Sequence, residues 1–204
     1  MPVLHLLRHG ILLPNPEHRF VGQRDIPLSE EGRRQALICR QDLACVPLKQ
    51  VWTSDLTRCR QMTTIIMNKR PVTVYLTAAF REINLGDWEG LTKHEVDTRF
   101  PGALAARGRD FWNYVPSEGE SFSMLARRVL SELLCRLSAL QENDEVLLVA
   151  HAGVNRIILM QHMALTIRDF FAIPQPYAAC TRLFYSTEEL NRLSDFCCSI
   201  HADS

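Results

Sequence analysis

Short apolar or β-branched runs alternate along this chain with stretches of helical period, and that alternation restricts the fold more than any other feature. Val3 to Leu7, Val51 to Thr53, Val72 to Leu76 and Val146 to Ala150 are too short for buried helices and read as strands. Ser29, followed by Glu30 and Glu31, is an N-cap with acidic groups in the first turn, and a helix should run from it to about Leu43. Ser54-Asp55 is a cap-like pair opening a helix to about Asn68, and a further helix is expected from about Val154 to Met163. Met124, Leu125, Val129, Leu133, Leu134, Leu137 and Leu140 form one apolar stripe, so Ser121 to Leu140 reads as a long amphipathic helix. Two late strands are expected at 182–185 and 196–200, paired with each other. Strands alternating with helices predict an α/β fold, a three-layer α/β/α sandwich around a mostly parallel sheet. There is no repeat, low-complexity tract or linker, so one domain over 1–204 is expected. The mixed, aromatic-rich stretch at about 80–120 is expected to be a cap-like insertion, beginning as a loop over 80–92.

Charge excludes some functions. Lys plus Arg number 23 and Asp plus Glu 23, so no global field draws the chain to nucleic acid or an anionic membrane. No apolar run reaches membrane-span length, and the first ten residues lack the order of a secretory signal, so a cytoplasmic location is expected. The seven cysteines have no compact spacing and mostly apolar neighbours, as buried reduced thiols would. Cys197, Cys198 and His201 are the only metal-like cluster. Adjacent cysteines on a strand point to opposite faces, so no metal is expected there. The 47% hydrophobic content permits a homodimer.

The chemistry concentrates at strand ends. Open α/β sheets bind ligands outside the carboxyl ends of their strands. The first strand ends in Arg8-His9-Gly10 and the most apolar one in His151-Ala152-Gly153; Arg58 lies just inside the helix after the second strand. If these strands are neighbours, two imidazoles and two guanidinium groups converge at one rim. Such a cluster repels itself unless an anion neutralises it, and guanidinium forks match phosphate oxygens. A histidine among arginines is biased towards its neutral, nucleophilic form, and phosphoryl transfer from it would need a carboxylic acid nearby. Taken singly, a strand-end histidine is more often a structural hydrogen-bonder and an arginine a surface charge. The residues alone lead only to an anion site.

Leu7-Arg8-His9-Gly10, with Asn15 following, resembles the signature of the histidine phosphatase superfamily, the phosphoglycerate mutase-like family. The resemblance continues in order through Phe20-Val21-Gly22-Gln23, Asp25 to Ser29, Glu31-Gly32, Gln35-Ala36, Thr53 to Arg58 with Gln61, Glu82 with Gly86-Asp87-Trp88-Glu89-Gly90, Gly119 to Phe122, and Val149 to Val154. It spans about three quarters of the chain and implies a phosphoglycerate mutase-like fold. It also implies that His9 becomes phosphohistidine, that Arg8, Arg58 and His151 bind the phosphoryl oxygens, and that Glu82 protonates the leaving group. Asn15 and Gln23 would be secondary contacts to phosphate or substrate. The partner implied is a small-molecule phosphate ester, and no metal or cofactor is implied.

The sequence departs from the family pattern at Ile11-Leu12, where Glu-Thr is common, at Ala152 for glycine and at Asp55 for proline. Competing acids are Asp25, Asp87 and Glu89. Glu82 is preferred because its spacing to Gly86-Asp87-Trp88-Glu89-Gly90 matches the phosphatase branch, and Asp25 is expected to organise a turn. Because Glu82-Ile83-Asn84-Leu85-Gly86 lacks the Arg-His-Tyr-Gly stretch of the mutases resembled, hydrolysis is favoured. The branch resembled includes α-ribazole phosphatase, so α-ribazole phosphate or a sugar phosphate is an expected substrate. The alternatives are a cofactor-dependent phosphoglycerate mutase and an inactive phospholigand-binding module. Phe111, Trp112 and Tyr114 read equally as a substrate cap or as core; Trp88 reads as packing.

Overall fold

The computed structural model describes the backbone of residues 1–202 and the side chains of residues 1–197. Five strands form one sheet in the order β3-β2-β4-β1-β5. They are β1 (Val3–Arg8), β2 (Leu48–Ser54), β3 (Thr73–Thr77), β4 (Glu145–Ala150) and β5 (Cys180–Phe184). The first four are mutually parallel, and β5 pairs antiparallel with β1. The chain places β2 two positions from β1, and β4 later fills the gap. The two histidine-bearing strands therefore lie side by side, in a register that pairs Arg8 with Ala150.

Strand residues alternate between two apolar cores. Leu4, Leu6, Val146, Leu148 and Ala150 face one side, where they meet α5 (Phe122–Leu137) and α6 (Ala152–His162). Leu7, Leu147 and Val149 face the other, against α1 (Glu30–Asp42) and α2 (Thr57–Met67). Period-two side chains on strands buried on both faces require a helical layer on each side, which gives the expected α/β/α sandwich. Ser29 caps α1, its Oγ accepting from Gly32 N at 3.1 Å. α2 differs from expectation: Asp55 pairs with Arg81 at 2.6 Å, and the Thr57 N–H at the helix start is taken by Asp25 at 2.6 Å. Asp25 thus organises a helix N-terminus across the loop.

Residues 80–120 carry α3 (Lys93–Arg99) and α4 (Ala103–Arg109), and two 3₁₀ turns, at Ala78–Phe80 and Gly86–Trp88. Their Phe80, Ile83, Leu85, Trp88 and Val96 belong to the same apolar cluster as α5, and Phe111, Trp112 and Tyr114 pack against it. Trp88 is 1% exposed, as a packing residue.

The expected strand pair at the C-terminus is corrected. β5 pairs with β1, and residues 196–200 lie within α7 (Thr187–Ala202). Ser186 and Glu189 open this helix with reciprocal bonds, Ser186 N donating to Glu189 Oε2 at 2.6 Å and Glu189 N to Ser186 Oγ at 3.2 Å. This Ser-x-x-Glu box was legible in Ser186-Thr187-Glu188-Glu189. Leu190, Leu193 and Cys197 then recur at helical spacing against the core that holds α5. The Phe196-Cys197-Cys198 run looks strand-like only because a helix face and its flank are contiguous in sequence. The side chains of Cys198 and His201 lie outside the described residues; among the described residues no three His, Cys, Asp or Glu side chains group as metal ligands. No described helix is long and apolar enough to cross a membrane.

Candidate active site

The register of β1 against β4 delivers the histidines to one edge. His9 N donates to Ala150 O at 3.0 Å, continuing the ladder, and the rings of His9 and His151 stand 5.2 Å apart. His9 is 4% exposed and its Nδ1–H donates to Gly10 O at 2.8 Å, because a carbonyl can only accept. That bond leaves the Nε2 lone pair as the reactive one. Burial, then Arg58 and Arg8, push the His9 pKa from 6.5 down to about 3. That shift favours the neutral imidazole at near-neutral pH.

His151 is fully buried, and both ring nitrogens have protein partners. Arg58 Nε–H donates to Nδ1 at 3.2 Å, so Nε2 carries the proton and donates to Ser54 Oγ at 2.9 Å. Burial, then Arg58 and His9, hold His151 well below the usual histidine range. Arg58 is 1% exposed and also donates to Arg24 O at 2.7 Å and Gly22 O at 2.8 Å. Its fork still has N–H groups to spare, since five donors meet three acceptors. Arg8 donates to Gln175 O, stacks on Tyr177 with Cζ 3.8 Å from the ring centre, and keeps a buried Nε without a partner among the described residues. An orphaned buried N–H is costly unless a ligand takes it.

These groups open into a cavity of about 260 Å³ lined by Arg8, His9, Arg58, Glu82, Arg156 and Tyr177, with Leu12, Val21, Ile83, Leu85 and Phe122 as apolar walls. Glu82 reaches it from the loop after β3. Its carboxylate accepts from Ile83 N at 3.0 Å and Gly153 N at 3.1 Å. Gly153 makes room for this carboxylate, because a Cβ at that position would push Glu82 Oε1 aside. Arg128 on α5 holds the Glu82 backbone, donating to Ala79 O, Arg81 O and Glu82 O at 2.8–3.0 Å while paired with Glu120 at 2.5 Å. The competing acids are occupied elsewhere: Asp25 at Thr57, Asp87 at Ser117 Oγ at 2.6 Å, and Glu89 at Gln23 N and Leu85 N.

Arg8, His9, Arg58, Glu82 and His151 thus come together. Asn15 and Gln23 do not line the cavity. Asn15 accepts from Arg19 N and donates to Arg19 O, closing its own loop. Gln23 Nε2 donates to Glu82 O at 3.0 Å, so it touches the acid's backbone. Sequence reading missed Arg156 and Tyr177. Arg156 Nε donates to Ile173 O at 3.0 Å, its Cζ lies 6.0 Å from the Phe170 ring centre, and its terminal nitrogens make no hydrogen bond among the described residues. Its signal was available: it follows His151 by five residues, one turn and a half into the next helix. Tyr177 lies in an irregular connection and carried none. Ile11 and Leu12 lie at the rim, where Ile11 N is held by Gln35 Oε1 at 2.9 Å.

The chain is similar to known proteins. A sequence profile of the histidine phosphatase superfamily (branch 1) covers residues 4–195. The chain is 32% identical over 165 residues to 2,3-bisphosphoglycerate-dependent phosphoglycerate mutase 2 of Gloeobacter violaceus, covering 79% of this chain and 75% of that one. It is 30% identical over 156 residues to the adenosylcobalamin/α-ribazole phosphatase of Salmonella typhimurium, covering 76% and 77%. A mycobacterial glucosyl-3-phosphoglycerate phosphatase solved with VO₃ superposes with a TM-score of 0.77 at 30% identity, over 89% of this chain and 92% of that one. The profile spans the sheet, the insert and both histidine motifs: the chain belongs to branch 1 of the histidine phosphatase superfamily.

Proposed function

We propose that the chain hydrolyses a small phosphomonoester through a phosphoryl group carried on Nε2 of His9. The observation that carries this reading is His9 lining one cavity with Arg8 and Arg58, its Nδ1–H tied to Gly10 O so that Nε2 is the nitrogen left for phosphorus. The Nε2 lone pair attacks phosphorus and the bond from phosphorus to the alcohol oxygen breaks. Glu82 gives that oxygen its proton. The resulting carboxylate then takes a proton from water, whose oxygen attacks phosphorus. The P–N bond breaks and His9 is neutral again. Arg8 and Arg58 offer N–H groups to the equatorial oxygens, in which charge is spread during transfer. His151 fixes Arg58 through Nδ1 and is itself held by its Nε2–H on Ser54 Oγ, so it positions the guanidinium that faces the phosphoryl group. Arg156 is a third cation for the same anion. Asn15 and Gln23 support the rim and the Glu82 backbone.

Hydrolysis is favoured over mutase action by the walls. A mutase must retain a substrate carrying several anions, whereas the wall beside Glu82 is Ile83 and Leu85, and among the described residues Arg156 is the one extra cation lining the cavity. The test is turnover of p-nitrophenyl phosphate with a chelator present. Chelator-resistant hydrolysis, abolished in His9→Ala, with acid-labile phosphate trapped on the wild-type chain, supports the proposal. Phosphate binding without turnover supports a binding module. Conversion of 3-phosphoglycerate to 2-phosphoglycerate with a bisphosphorylated primer supports a mutase. The α-ribazole and glucosyl-phosphoglycerate phosphatase relatives make a riboside phosphate or a sugar phosphate the substrates to try first.

A homodimer and a cytoplasmic location belong to the same proposal. Val74, Tyr75 and Leu76 on edge strand β3 are 38–55% exposed, an edge that a second copy could pair, and sedimentation would report it. Cys39, Cys45, Cys59, Cys135 and Cys180 are in no disulfide, which suits a reducing compartment, although Cys45, Cys135 and Cys180 are exposed and not buried as expected.

A further inference from the structure

We infer that Tyr177 is the positioning residue for Arg8, its ring holding the guanidinium plane so that the free N–H edge is presented to the phosphoryl group. It rests on the hydrolytic reading above for the reaction it serves. The two arginines of the site are held in different ways. Arg58 has three acceptors, His151 Nδ1, Arg24 O and Gly22 O, and together they fix its plane. Arg8 has one carbonyl acceptor, Gln175 O, and a buried Nε without a partner among the described residues. One bond through a terminal nitrogen leaves a planar fork free to swing about it, so that bond alone does not aim the remaining donors. The second constraint is the Tyr177 ring, with Arg8 Cζ 3.8 Å from its centre. A guanidinium turned edge-on would put a nitrogen and its hydrogen between Cζ and the ring and hold Cζ farther away, so Arg8 meets the ring with its face. Face contact uses no N–H. Every spare donor of Arg8 stays in the plane, available to an anion, and the π cloud offsets part of the cost of burying the cation.

Tyr177 is tied to the strand end that it serves. Ala178 N donates to His9 O at 3.2 Å and Arg8 N to Ala179 O at 3.0 Å, which clips this connection to the end of β1. The Tyr177 ring stands 5.7 Å from the His9 ring and lines the phosphoryl cavity. With Leu12 and Val21 it also lines a second hollow of about 300 Å³, so it belongs to the partition between the two. At 39% exposure it is no core residue, and its contact with Arg8 is not a by-product of filling the interior.

Inorganic phosphate carries no alcohol, so its affinity reports the arginines rather than a contact between Tyr177 and a leaving group. By calorimetry, Tyr177→Ala and Tyr177→Leu should each bind phosphate about tenfold more weakly than wild type, and Tyr177→Phe, which keeps the aromatic face, within about twofold of it. Leucine fills much of the space of the ring, so a loss in Tyr177→Leu is not one of packing. In an Arg8→Gln background, Tyr177→Leu should change the affinity by less than about twofold, because the group it positions is gone. Wild-type affinity in Tyr177→Leu, or a tenfold loss that persists in the Arg8→Gln background, overturns the assignment. Absence of phosphate binding by the wild type would overturn both the assignment and the anion site. A loss of binding that depends on Arg8, in a chain that turns over no phosphomonoester, would instead overturn the hydrolytic reading and leave the role of Tyr177 standing.

Discussion

His9 and His151 are both kept uncharged by burial among guanidinium groups, and this has consequences for pH. The unfolded chain protonates each ring near 6.5, whereas folded His9 resists down to about 3. Between those values the unfolded state binds more protons, so stability falls as pH drops through that window. His9→Gln should therefore lose less stability than wild type between about pH 7 and about pH 4, measured by urea melts at each pH. Likewise, the acid limb of kcat/KM should show no ionisation near 6.5 belonging to His9. Glu82 is tested by leaving group. Glu82→Gln should slow alkyl phosphates by roughly 10²–10⁴-fold and nitrophenyl phosphate far less, because nitrophenolate needs little protonation. Equal losses would remove Glu82 from the acid role. Gly153→Ala should reproduce the alkyl-selective loss, since the new methyl group displaces the Glu82 carboxylate.

At the level of elements, the site depends on contacts made far from it in sequence. Arg128 on α5 ties three carbonyls of the loop that carries Glu82, and Glu120, its partner, accepts from Asn84 N at 2.8 Å. Arg128→Met should cost roughly 2–4 kcal/mol in denaturant unfolding, because it leaves Glu120 without its ion pair and the loop carbonyls without donors. It should also lower kcat for alkyl phosphates. α7 is held by its capping box and apolar face. Ser186→Ala should cost about 0.5–2 kcal/mol in the same measurement, whereas a strand there would be indifferent to that hydroxyl. Helices α1 and α5 were legible because one shows a serine cap and the other an apolar stripe in consecutive residues, whereas the Ser54-Asp55 pair marked α2 without capping it. α7 was misread because its last apolar residues were weighed without the Ser186-Glu189 box that starts it.

For the whole molecule, net charge near zero means that anion capture is local. The cations that line the cavity sit in a pocket rather than on an extended basic face, so kcat/KM for a phosphomonoester should change by only about two- to threefold between low and physiological salt. A tenfold fall would point to long-range steering instead. Leu148 lies in the centre of the sheet at 0% exposure, and Leu148→Ala should cost about 2–5 kcal/mol while leaving the residues of the site in place.

By itself the sequence determined which strands end in chemistry. Arg8-His9-Gly10 and His151-Ala152-Gly153 each follow a contiguous apolar run, and the backbone carries side chains beyond such a run to one edge of a parallel sheet. It also determined the family, because the motifs occur in order. Only the tertiary structure decided that β4 inserts beside β1, which sets the rings 5.2 Å apart. It likewise decided that Asn15 and Gln23 serve backbone groups while Arg156 and Tyr177 face the cavity. The physical reason is that a side chain's partner is set by where separate segments cross. A loop residue such as Tyr177 meets Arg8 only after strand order and register have brought residues 169 positions apart into contact.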